Sequence, residues 1–174
     1  MNHAPALHAV SRRLVEACHR AEAWSRDELI ALAVARGCRH YAGFAPTAQA
    51  VPQTELPHEV LGCALLRGPA DAETFRAIRA GAMVLSDPGN SPAAMAEAAH
   101  FFGVESRLVH LARVGLKADC ATDFWTAILA LVPATESHDD LAFLPGASRL
   151  SVECPRPGAN GSPIRVWLRT NHPR

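Results

Sequence analysis

The chain has 174 residues, is 49% hydrophobic and 20% charged, and carries 17 basic against 17 acidic groups, for a formal net charge of zero. That composition excludes disorder and leaves room for one domain with a substantial core. Charge neutrality excludes a global electrostatic pull toward nucleic acid or an anionic membrane surface.

Met1–Pro5 lacks the basic segment running into an apolar stretch that marks a secretory signal. The longest apolar runs, such as Ala127–Val132, fall far short of the ~20 residues of a membrane helix. Cys18, Cys38, Cys63, Cys120 and Cys154 are odd in number, widely spread and mostly on apolar faces. Together these features predict a reduced, cytoplasmic protein with buried thiols and no membrane association.

Leu7, Val10, Leu14, Cys18 and Ala21 recur at steps of three or four, with Arg12, Arg13, Glu16 and Arg20 between them. That spacing predicts an amphipathic helix over 6–23. Ser25 with Glu28 three residues on forms a capping box that opens a second helix, 26–36, before Gly37. Residues 38–55, with Gly43, Pro46 and Pro52, show no period and read as a loop anchored by Tyr41 and Phe44.

A third helix is expected from Pro57, at the favoured first-turn position, to Arg67 before Gly68. Asp71 is expected to cap a fourth, with Phe75, Ile78 and Ala82 inward and Gly81 as its stop, or a continuation through Leu85. Asp87-Pro88-Gly89-Asn90 is a turn by composition. Ser91 caps a fifth helix with Pro92 first and Gly103 past its end, and the sixth runs from Glu105 to Val114 before Gly115. Thr122 is expected to cap a seventh, 123–132, apolar nearly all round and hence buried.

The pairs 57–81 and 92–115 repeat at an offset of about 34 residues, and 26–37 matches the start of a further, degenerate copy. Short helix pairs cannot bury their apolar faces alone, so the fold class is mainly α, about seven short helices in a bundle or in stacked helix-pair repeats. Ala98-Ala99 with Gly103 and Gly115 resembles the helix pair of an ankyrin repeat, without the Thr-Pro-Leu-His turn and with one extra residue before the first glycine. No property of that family is carried across on so short a match.

Residues 1–133 form the expected helical domain and 134–148 an acidic linker. From Ala118 to Ser148 there are five acids and no Lys or Arg. From Arg149 onward there are five arginines against Glu153 alone, and the period changes to two. Leu150, Val152 and Cys154, then Ile164, Val166 and Leu168, alternate with polar residues across a Pro/Gly-rich connection, which predicts a β-hairpin over 149–170 packed on the helices.

Cys38-x-His40 lacks further ligands at zinc spacing, and there is no GxGxxG or Walker-type lysine loop, so no metal, nucleotide or other cofactor is expected. Arg165, Trp167 and Arg169 fall on one face of the last strand, with Arg149 from its neighbour. Arginines flanking an aromatic bind anions, nucleic-acid strands or an acidic stretch such as 119–140. Arg76 and Arg79 are the best approximation to a DNA-reading helix. The expected function is a non-enzymatic protein–protein adaptor using the helix pairs, its partner another protein. A nucleic-acid-binding regulator is the alternative. The third reading is an enzyme pairing a Cys with one of the nine histidines, since such pairs need not be close in sequence.

Overall fold

The computed structural model describes residues 4–36, 38, 56–68, 75–117, 121–132, 151–157 and 163–167. Seven helices make up most of it: α1 (Ala4–Glu22), α2 (Arg26–Ala35), α3 (His58–Leu65), α4 (Phe75–Leu85), α5 (Pro92–Phe102), α6 (Glu105–Lys117) and α7 (Thr122–Leu131). The described part is therefore mainly helical, and no helix among the described residues is long and apolar enough to cross a membrane. The backbone of β1 (Ser151–Pro157) is paired antiparallel with that of β2 (Pro163–Trp167), Val152 opposite Val166. The side chains of these strands, and the 134–148 linker, lie outside the described residues.

The core is organised around α3. Val60, Leu61, Cys63, Ala64 and Leu65 are all buried, which an eight-residue helix achieves only when neighbours wall it on every side. Those neighbours are α1, α2, α4 and α5. α5 in turn packs on α1, α6 and α7, placing Met95, Ala98 and Ala99 in the same core.

Local chemistry sets the start of α2 and both ends of α5. The Ser25 hydroxyl accepts the Glu28 N–H at 3.3 Å, while Glu28 Oε2 accepts the Ser25 N–H at 2.7 Å, closing the capping box. The Ser25 hydroxyl and, next, its amide hold the Glu28 carboxyl below its ordinary range. That contribution is present above the unfolded pKa and lost as pH falls through the folded one. Ser91 caps α5 with Pro92 behind it, and Gly103 closes it at φ 65°, with the Val104 N–H on Ala99 O at 2.9 Å. In the turn before α5, Asp87 Oδ1 accepts the Gly89 N–H at 2.9 Å and Asn90 Nδ2 donates to Val84 O at 2.8 Å.

Several ends differ from the sequence expectation. Pro57 is the N-cap of α3 rather than its first helical residue. α7 is capped by Ala121 at φ 51°, so Thr122 falls one position inside and makes no cap. α7 is not buried all round either, since Leu131 is 51% exposed while Trp125 and Ile128 carry the burial. Gly115 does not stop α6, and of the two ends expected for α4 it takes the later one, running past Gly81 through Leu85; both glycines lie inside their helices. A Cβ on Gly81 would sit 2.7 Å from the Gly62 carbonyl oxygen and 2.9 Å from Leu65 Cβ, and one on Gly115 would enter the Trp125 ring. These glycines are there for close helix approach, α4 on α3 and α6 on α7.

Candidate functional site

A cleft of about 770 Å³ opens where α3 and α5 begin. Its volume lies in the range of small-molecule and peptide sites, roughly 300–1,000 Å³. α1 supplies one wall through Arg13, Ala17 and Arg20, whose spacing of four and then three brings them to one helix face. Leu14, Ala17, Leu56 and Ala94 provide apolar surface. Arg36 reaches in from the end of α2 and donates from Nη1 to Leu56 O. Pro57, His58 and Glu59 complete the opposite side.

The electrostatics of this cleft are uneven. Glu16 is engaged by Arg12, with Nε to Oε1 at 3.1 Å. Glu59 Oε1 accepts the Ser91 N–H at 2.8 Å, at the start of α5. Arg13 and Arg20 are exposed and make no ion pair among the described residues. α3 begins here without a side-chain cap, so its first amides add a positive end of the same sign.

At the other end of the same helices an aromatic contact fixes the wall. His19 meets Phe101 edge-on at 4.9 Å, Phe101 meets Phe102 at 5.0 Å, and the Arg67 guanidinium lies 5.0 Å over the Phe102 ring. Arg67 Nη2 also donates to Ala21 O at 3.4 Å. The buried Arg107 donates from α6 to Leu66 O, satisfying a carbonyl at the end of α3.

The three described cysteines are placed for packing. Cys18, Cys38 and Cys63 are buried free thiols. Burial, then Glu22 and Glu97, pushes the Cys18 thiol up to about 11. Burial does the same for Cys63, with Cys18, Glu59 and Glu105 adding to it, and carries it well above the ordinary thiol range. Since the thiolate is the nucleophile, neither is poised for attack. His19, next to Cys18 in sequence, is exposed and pairs instead with Glu22 at 3.3 Å. Native protein treated with a thiol reagent at pH 8 should therefore leave Cys18 and Cys63 unmodified until denaturant is added, read peptide by peptide by mass spectrometry. Fast labelling of either in the native state would contradict the burial that raises them.

A second depression of about 400 Å³ lies between α5 and the end of α7, lined by Ala93, Ala96, Leu131 and Val132 with His100 at its rim. His100 Nδ1 and Glu105 Oε1 are 2.8 Å apart there. No group of three or more His, Cys, Asp or Glu among the described residues is placed to hold a metal ion.

Of the residues singled out from sequence, Arg76 is exposed on α4 and Arg79 is half-buried, and neither lines the large cleft. Arg165 and Trp167 fall in β2 with side chains outside the described residues, and Arg149 and Arg169 lie outside them altogether. The structure instead gathers Arg13 and Arg20, which lie between the apolar positions of α1, with Arg36, which in sequence marks only the end of the second helix. Their only sequence signal is the spacing of Arg13, Ala17 and Arg20 along one face of α1. No protein-family model, characterised protein or solved structure matches this chain.

Proposed function

We propose that this protein is a non-enzymatic, cytoplasmic adaptor that binds another protein through the cleft where α3 and α5 begin. The observation that carries the reading is the cleft itself: about 770 Å³, apolar within, and edged by Arg13, Arg20 and Arg36. Such a surface combines apolar contact area with arginines, a residue type enriched at recognition interfaces. The inert placement of Cys18 and Cys63 supports the same reading over a cysteine-centred enzyme.

In this reading the α3–α4 and α5–α6 pairs act as stacked units, and the left-handed glycines after α3 and α5, Gly68 and Gly103, support it. The 149–170 hairpin would cover part of the helical body. The nucleic-acid alternative rests on Arg76, exposed on α4, with the basic hairpin as its second element.

Filling the cleft tests the proposal. Ala94 is half-buried at the cleft wall, so Ala94→Trp places a bulky ring inside it. The expected outcome is that a stoichiometric partner co-purifies with the wild-type chain from its native cell and is lost with Ala94→Trp, while the helical circular dichroism is unchanged. Recovery of the same partner with the folded variant would move the binding surface elsewhere.

A further inference from the structure

We draw no further inference here: the strongest candidate, the apolar depression between α5 and the end of α7 lined by Ala93, Ala96, Leu131 and Val132, adjoins residues outside the described ones, and nothing in the structure shows what covers it.

Discussion

Replacing Trp125 with alanine is expected to lower the stability of the helical body by about 3–5 kcal/mol, the usual cost of emptying a buried aromatic site. Trp125 is 1% exposed and is the largest fully buried side chain among the described residues. It packs edge-on against Phe124 at 4.8 Å, and its ring occupies the space in which Gly115 has no Cβ. The loss should appear in urea denaturation as a lower midpoint with a nearly unchanged slope. The same contact predicts a coupling. Gly115→Ala should destabilise the wild-type chain, because its methyl would enter the Trp125 ring, and should be tolerated in the Trp125→Ala background. A double-mutant cycle showing additive effects would mean that α6 and α7 do not meet at this pair.

The second large effect is at Gly81, where the sign of the change decides between two accounts of one residue. If Gly81 were an ordinary glycine in an open helix, alanine would stabilise the protein by about 1 kcal/mol through helix propensity. In the structure its missing Cβ faces the Gly62 carbonyl oxygen at 2.7 Å and Leu65 Cβ at 2.9 Å. Both belong to the buried helix α3, so neither can swing away as a flexible side-chain tip would. Gly81→Ala must push α4 off α3, and a net destabilisation of about 2 kcal/mol is expected from overpacking of this kind. A gain in stability would show that the two helices do not approach so closely.

How much of this was legible in the sequence depended on whether the cause was local. The capping box at Ser25 and Glu28, the Ser91-Pro92 start and Gly103 stop of α5, and the Asp87–Asn90 turn were readable because their hydrogen bonds close within a few residues. Gly115 was misread as a stop, and at Gly81 both a stop and the observed continuation through Leu85 were open, because a glycine that ends a helix and one that admits a neighbour look alike in sequence. What separates them is the partner, Gly62 for the first and Trp125 for the second. The cap of α7 was missed for a different reason. Thr122 is the better capping residue, and an alanine at φ 51° in the cap position is a conformation that local preference argues against.

The candidate site was legible only in fragments. Arg13 and Arg20 share a face of α1, but the cleft needs Arg36 from the end of α2 and Leu56 to Glu59 at the start of α3. Those segments converge only when α1 and α3 pack, and no local pattern announces that contact. Arg76 and Arg79 satisfied the local criterion for a reading helix and lie away from the cleft. For the same reason a search by sequence pattern favoured the alternation around Trp167, where period two is plain, over arginines scattered among three elements.

Under the proposed function the partner sits in the cleft where α3 and α5 begin. The most direct measurement is site-specific photo-cross-linking in the native cell, with a benzoylphenylalanine introduced at one position at a time. Position 16 lies in the cleft wall on α1, and position 76 is exposed on α4 outside it. Cross-linking from position 16 to a single protein, with none from position 76, is the predicted result. Cross-linking from position 76 alone, to protein or to nucleic acid, would contradict it and place recognition on α4.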